Sequence, residues 1–418
     1  TQGVSSAASD VYKRQIHAHK GQIKKAVQLF ALAKRPVVFF GGGIVLANAE
    51  EELRRWIQLT GVPCISSLMG LGAYSASHPQ FLGMVGMHGT YEANMAMQQA
   101  DMVLALGVRF DDRVISVPEK YLATAKKIIH IDIDPSSIAK RVPVNVPIVG
   151  DIKLALQAMT YQWEEKRLIL DHKGLQCWWE CIEQWRSFKS LNYSDDEQII
   201  KPQYVIKSLA QLTQNRAYIA SDVGQHQMFV AQYYPFEKSR QWFNSGGLGT
   251  MGVGLPYAMG AQLALPQETI FCVTGDGSIQ MNIQELSTCY QFKLPIKIIN
   301  LNNQYLGMVR QWQEFYYEGR YSHTYMDSLP DFVKLAQAYG HVGMRIEKKA
   351  DVLPALKEAI ALQDQLVFMD FITSQEQNVY PMVGNGKGLD EMLLPPHMRH
   401  SVQDGEVFNA KNKHYDTR

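Results

Sequence analysis

No run of apolar residues in this sequence approaches the roughly 20 needed to span a bilayer, so a membrane-spanning helix is not expected. An excess of one charge sign is missing as well: Lys and Arg number 41, Asp and Glu 40, a formal net charge of +1. No long-range field of one sign follows, and neither nucleic acid nor an anionic membrane is suggested as a partner. Cysteine is sparse. The five residues (Cys64, Cys177, Cys181, Cys272 and Cys289) form no zinc spacing and leave an odd count. They read as reduced core thiols, which points to a cytoplasmic protein. The opening stretch TQGVSSAASDVYKRQ lacks the apolar segment of a secretory signal. Residues 1–15 read as a non-native or disordered leader left by gene assembly. No short repeat is visible.

What is present suits a soluble globular protein. The 418 residues are 46% hydrophobic and 19% charged, more chain than one core organises, so two domains are expected. Helical spacing marks Gly21–Lys34 and Glu50–Leu59, and PVVFF at 36–40 reads as a buried strand running into Gly41-Gly42-Gly43. Further apolar runs at 62–65, 100–106 and 128–133 alternate with helices. That alternation indicates an α/β fold with a parallel sheet covered on both faces. Between 151 and 201 four of the seven tryptophans (Trp163, Trp178, Trp179 and Trp185) sit among charges without a strand, as in a helical linker. A second α/β run begins near Pro202, with strands at 217–221, 270–274, 296–301 and 366–372. The expected organisation is two doubly wound domains, 16–160 and 202–378, joined by a helical linker at 161–201 and followed by a tail at 379–418.

Chemistry concentrates at two strand ends. Asp276, between Gly275 and Gly277, ends one apolar run, and Asn302-Asn303 ends the next. Their separation, 303 − 276 = 27 residues, suits one strand–helix–strand crossover, which returns parallel strand ends to the same edge. A carboxylate beside an amide oxygen suits Mg²⁺, with phosphate oxygens and water completing the octahedron. The two glycines admit a diphosphate, and a helix over 282–292 is expected to aim its N-terminus at it. Alone, Gly-Asp-Gly would be an ordinary turn and cap; Asn303 at the right distance makes it more.

The stretches VGQHQM (223–228), NSGGLGTMGVGLPYAMGAQ (244–262), GDGSIQMNIQELSTC (275–289) and LNNQYLGMVRQWQEFYYEGRYSHT (301–324) resemble the thiamin-diphosphate decarboxylases and carboligases. Within that group they resemble the large catalytic subunits of acetolactate synthases. The likeness runs over nearly all of residues 16–392. It implies Mg²⁺ held by Asp276, Asn303 and the carbonyl of Tyr305. It implies diphosphate contacts from Gly224, Gln225, His226, Gly275, Gly277 and Ser278. Gly249 would accept from the aminopyrimidine amine, and Met251 would prop thiamin in its bent shape. Met308 and Trp312 would line the acceptor pocket, where a Trp goes with preference for 2-ketobutyrate over a second pyruvate.

In the first half, Gly41-Gly42-Gly43, SLMGLG (67–72), GMHG (86–89), GVRFDDR (107–113), HIDID (130–134) and Gly150-Asp151 resemble the family's FAD-binding domain. The resemblance implies FAD contacts from Gly41, Gly42, Gly43, Leu68, Gly86, Met87, His88, Gly107, Arg109, Asp111, Arg113, Asp132, Ile133, Gly150 and Asp151. Glycines admit a pyrophosphate, arginines offer cationic donors, and an Asp at a strand end suits adenosine hydroxyls. Family members carry a further pyrimidine-binding domain ahead of these two, and it supplies the Glu that activates the cofactor. The expectation is that this chain lacks that domain and has no catalytic residue of that kind, Glu285 being no substitute. Isolated, it would then be inactive. The resemblance further implies 2-keto acid substrates, a homodimer or tetramer, and a small regulatory subunit. A non-catalytic cofactor-binding remnant and a sister carboligase of the glyoxylate type are the alternatives.

Overall fold

The computed structural model describes residues 17–398; the leader at 1–15 and the tail beyond 398 lie outside the described residues. The chain forms two units. Among the described residues one gathers 17–74, His78–Ser190 and 381–398; the other holds Ser75–Ser77 and Leu191–Tyr380.

In the first unit six strands pair in parallel: β1 (Pro36–Phe40), β2 (Cys64–Ser66), β3 (Phe81–Met84), β4 (Met102–Leu106), β5 (Lys127–Asp132) and β6 (Val146–Val149). Their order is β3-β2-β1-β4-β5-β6, the doubly wound order that reverses direction between β1 and β4. β1 and β4 are buried at every position, as a central strand covered on both faces requires. On one face the helices Lys20–Phe30, Glu50–Thr60 and Ile152–Glu165 bring together Phe30, Trp56 and Trp163, with ring centroids 5.4 to 6.0 Å apart. On the other face lies the helix His172–Ser187.

That helix changes the expected organisation. The stretch anticipated as a linker is helical, but its helices are part of the first unit. Trp178, Cys181, Ile182 and Trp185 follow the i, i+3, i+4, i+7 stripe of an amphipathic helix and are buried. Trp178 Nε1 donates to the Pro36 carbonyl at 3.0 Å and Trp179 Nε1 to that of Gly61 at 3.0 Å. Side chains of this size contribute about 1.5–3 kcal/mol each when fully buried, which is why a tryptophan-rich segment does not stay a tether. The chain after Pro381 also returns to the first unit. The Val383 amide donates to Met87 O at 2.7 Å, the Lys120 ammonium meets Glu391 at 2.6 Å, and Met382–Val383 pairs with Met392–Leu393.

The second unit holds β7 (Tyr218–Ser221), β8 (Trp242–Phe243), β9 (Ile270–Gly275), β10 (Lys297–Asn302), β11 (Val342–Ile346) and β12 (Val367–Ile372). All pair in parallel, in the order β11-β12-β10-β9-β7-β8. From β7 the chain first moves to one side, to β8, and then to the other, to β9, so the switch point lies between β7 and β9. No two cysteines are bridged, and among the described residues no helix is long and apolar enough to cross a membrane.

Candidate functional site

In both units most candidate residues lie at or shortly beyond the carboxyl end of a parallel strand. Open α/β sheets offer ligand crevices at that edge, above all at the switch point.

In the second unit the register Leu301↔Gly275 sets the ends of β9 and β10 side by side. Asp276, 2% exposed, is built into both loops: Oδ1 accepts from the Gly277 amide at 2.8 Å and Oδ2 from the Gln304 amide at 2.6 Å. Burial pushes its carboxyl up to about 7 against those hydrogen bonds, and the nearby negative charge of Asp370 adds to the rise. Asn303 Oδ1 accepts from the Tyr305 amide at 3.1 Å. Tyr305 bridges to Tyr325, but the bridge bonds run from Leu306 N to Thr324 O and from Met326 N to Gln304 O, so the Tyr305 carbonyl takes no part in them. The two loops thus carry one carboxylate, one amide oxygen and one backbone carbonyl, hard oxygens of the kind Mg²⁺ takes.

Across the switch point Gly224 leads into the helix Gln225–Tyr233. His226, 7% exposed, lies against the Gly-Asp-Gly turn, where a Cβ on Gly275 would come 2.8 Å from its Nδ1. Its Nε2 is buried without a hydrogen-bond partner, and burial pulls the imidazole down to about 3 despite a bond to the Asp222 backbone. A buried orphan nitrogen beside a glycine turn fits a polar group that the chain itself does not supply. Ser278 Oγ donates to Val223 O at 3.0 Å, tying the two loops together.

The helix anticipated over 282–292 is a correction. A 3₁₀ turn occupies Ile279–Asn282, and the α-helix starts only at Glu285, seven residues long. Gln280 Nε2 bonds back to Asp276 O at 2.9 Å, holding the chain in the tighter turn. The helix N-terminus adjoining this edge is that of Gln225–Tyr233.

Sequence reasoning missed Asp222. Fully buried at the end of β7, it accepts on Oδ1 from Val223 N at 2.8 Å and Gly252 N at 2.7 Å. On Oδ2 it accepts from Gly254 N at 3.3 Å and Thr274 Oγ1 at 3.4 Å. One carboxylate therefore joins the ends of β7 and β9 to the loop after β8. That loop carries Met251, half-buried, and Gly249, whose φ is +60° and whose missing side chain would meet nothing within 4 Å. An acid at a strand end before a glycine was the visible signal; its three distant partners were not. Met308 and Trp312 lie on the helix Gly307–Tyr316, half-buried, with Trp312 against Tyr316 at 5.0 Å between ring centroids.

In the first unit the switch point holds the closest backbone approach. A Cβ on Gly43 would lie 2.5 Å from Gly107 Cα, one on Gly41 2.7 Å from Gly107 O, and Gly107 itself has φ +57°. Leu68 follows β2, and Gly86, Met87 and His88 follow β3, with the Met87 amide on Arg113 O at 2.8 Å. Burial, reinforced by the Arg113 charge, holds His88 down at about 4. Arg109 is exposed and pairs with Asp111 at 3.7 Å, while Asp111 Oδ1 accepts from the Arg113 amide at 3.2 Å. Asp132, 8% exposed, accepts from the Asp134 amide at 2.9 Å, and Ile133 is 52% exposed. Gly150 N reaches Asp132 O at 3.0 Å, and Asp151 caps the helix Ile152–Glu165 through Leu154 N at 3.0 Å. Asp151 is thus engaged as an N-cap. The glycine cradle and the flanking arginines fit a pyrophosphate-bearing cofactor.

Comparison with known proteins agrees with this layout. Residues 222–371 match the thiamine pyrophosphate enzyme C-terminal TPP binding domain, and residues 23–159 the central domain of the same enzymes. The chain is 52% identical over 385 residues to the acetolactate synthase isozyme 3 large subunit of Escherichia coli, covering 92% of this chain and 67% of that protein. With the acetolactate synthase large subunit of Haemophilus influenzae it shares 51% over 383 residues, 92% of this chain and 66% of that one. Against the acetolactate synthase of Mycobacterium leprae the identity is 43% over 389 residues, 91% of this chain and 61% of that one. The chain spans about two thirds of the length of these relatives. A likeness at this identity, through the central and the C-terminal domain in the same order, means that the chain belongs to the acetolactate synthase large-subunit family of thiamine pyrophosphate enzymes.

Proposed function

We propose that the protein acts as the catalytic subunit of an acetolactate synthase. It decarboxylates pyruvate and joins the remaining two-carbon unit to a second pyruvate or to 2-ketobutyrate, in branched-chain amino acid synthesis. The observation that carries this reading is the second unit's switch point. There Asp276, locked onto the loop of Asn303 by the 2.6 Å bond from Gln304 N, stands across from the buried, unpartnered Nε2 of His226.

Asp276, Asn303 and the Tyr305 carbonyl hold Mg²⁺ in this proposal. Gly224, Gln225, His226, Gly275, Gly277 and Ser278 receive the diphosphate. When bound, thiamin diphosphate supplies the electron sink that makes decarboxylation possible. The chain's own part is positioning. Asp222 fixes the Gly249–Met251 loop, where the Gly249 carbonyl would accept from the aminopyrimidine amine and Met251 would prop the thiamin. A cation beside Asp276 favours the charged carboxylate and so reverses the effect of its burial. Met308 and Trp312 bound the acceptor pocket and shield it from water. In the first unit Gly41, Gly42, Gly43, Leu68, Gly86, Met87, His88, Gly107, Arg109, Asp111, Arg113, Asp132, Ile133, Gly150 and Asp151 would hold FAD as a structural cofactor. Large subunits imply a small regulatory partner, and the family implies a homodimer or tetramer.

Calorimetric titration with thiamin diphosphate, with and without Mg²⁺, tests the assignment. Mg²⁺-dependent binding is expected, with a flavin absorbance spectrum from the purified protein. Binding indifferent to Mg²⁺, or no binding, would overturn the metal assignment.

A further inference from the structure

The polar network behind Asn303 runs well beyond the candidate site. Gln225, 6% exposed, and Gln311, fully buried on the helix Gly307–Tyr316, meet through their carboxamides, with Gln225 Nε2 donating to Gln311 Oε1 at 2.9 Å. Gln225 Nε2 also donates to Gln377 O at 3.0 Å, and Gln225 Oε1 accepts from Asn303 Nδ2 at 3.5 Å. Gln311 in turn grips the backbone of Val379 with both ends: Oε1 accepts from Val379 N at 2.8 Å and Nε2 donates to Val379 O at 3.3 Å. The fit is close, since a Cβ on Gly307 would fall 2.2 Å from Gln225 Oε1.

The chain has a polarity. A carboxamide has one accepting and one donating end, and which end faces a neighbour is decided by the network around it. The backbone of Val379 offers one donor and one acceptor, so it orients Gln311. Gln311 then presents oxygen to Gln225 and, together with the Gln377 carbonyl, selects the nitrogen end of Gln225. The other end of Gln225, its oxygen, faces Asn303, which must answer with its own nitrogen. Asn303 Oδ1 is thereby turned the other way.

We infer that Gln311 is a positioning residue: by setting the polarity of Gln225 it commits the oxygen of Asn303 to the cation and ties the metal end of the site to segment 377–380. The inference rests on the reading of Asp276 and Asn303 as the cation-holding pair. The side-chain contacts of Gln311 go to Gln225 and Val379, so in this reading it acts through Gln225.

Two substitutions separate polarity from packing. Gln311→Glu keeps both acceptor contacts, to Gln225 Nε2 and Val379 N. Its fully buried carboxyl, held protonated by burial, donates to Val379 O in place of the amide, so the polarity is kept. Gln311→Met keeps the size and loses the polarity. The measurements are Mg²⁺-dependent thiamin diphosphate affinity and hydrogen exchange of peptides covering 375–383, each with and without Mg²⁺-thiamin diphosphate. Wild type should bind, and binding should slow exchange at 377–380. Gln311→Glu should stay within about threefold in affinity and keep the slowing. Gln311→Met should lose about tenfold in affinity, the scale seen for outer-shell metal partners, and lose the ligand-induced slowing. Gln311→Asn, one methylene too short to reach, carries the same expectation should the methionine variant fail to fold. Wild-type behaviour in Gln311→Met or Gln311→Asn, or equal impairment in all variants, would overturn the relay while leaving the cofactor reading intact. Absence of Mg²⁺-dependent binding by wild type would instead bring down the cofactor reading, and the relay with it.

Discussion

The carboxylate of Asp276 accepts the backbone amide of Gln304 at 2.6 Å, so the ends of β9 and β10 are joined through a single buried acid. Asp276→Asn keeps the shape and removes the charge. We expect Mg²⁺-dependent affinity for thiamin diphosphate to fall by about 100-fold or more, as for loss of a direct carboxylate ligand, with the fold retained. Titration calorimetry reads this directly, and unchanged affinity would remove Asp276 from the metal site.

Asp222 makes a different prediction. In Asp222→Ala the amides of Val223, Gly252 and Gly254 lose their buried acceptor. The cost should be about 2–4 kcal/mol, seen as an earlier urea midpoint, since each stranded buried donor costs about 1–3 kcal/mol before relaxation. A variant as stable as wild type would show that the three loops hold their places without it.

Gly107 combines a left-handed φ of +57° with a Cβ position 2.5 Å from Gly43 Cα. Backbone cannot step aside as a flexible side chain can. Gly107→Ala should cost roughly 3 kcal/mol or more and lower the melting temperature of the first unit. An unchanged melting profile would contradict the close approach.

Lys126 gives a pH dependence. Its ammonium donates to Met97 O at 3.3 Å and Gln98 O at 2.9 Å and lies 3.7 Å above the Tyr121 ring. Burial pulls it down from 10.5 to about 7, opposed by the charge of Asp390. With a folded pKa below the unfolded one, the unfolded chain binds more protons between those values, so stability from this group rises with pH and is lost as pH falls through about 7. Denaturation of wild type and Lys126→Met at two pH values inside that window should show wild type gaining stability relative to the variant at the higher one. A constant gap would mean that Lys126 titrates normally.

Trp312 bears on specificity if the proposed activity holds. Trp312→Leu opens the acceptor pocket and should reduce the preference for 2-ketobutyrate over pyruvate by about tenfold, the scale of a remodelled apolar contact. Competition between the two acceptors, read as the product ratio, decides it.

Much of the fold was legible because burial leaves its mark on composition. PVVFF announced β1 to the residue, and the apolar runs near β9, β10 and β12 lay within a position or two. β6 escaped because its VPIV alternates buried and exposed positions and carries a proline, which weakens the strand signal. The tryptophan-rich segment was read as a tether because its charges are what the sequence displays, while its stripe faces inward only once a sheet is there to receive it. At the site, Asp276 and Asn303 were visible through their spacing. Asp222 and Gln311 were not, since most of their partners are distant in sequence and several enter only through backbone amides and carbonyls.

The return of the chain from Pro381 onward to pack beside Met87 and Lys120 bears on synthesis. Residues emerge from a ribosome in order, and folding units close as their last parts arrive. Every strand of the second sheet has emerged before Val383 or Glu391 can reach its seat. The unit that begins first therefore finishes last, and a nascent chain halted near Tyr380 would carry a complete second sheet beside a first unit still lacking its final piece.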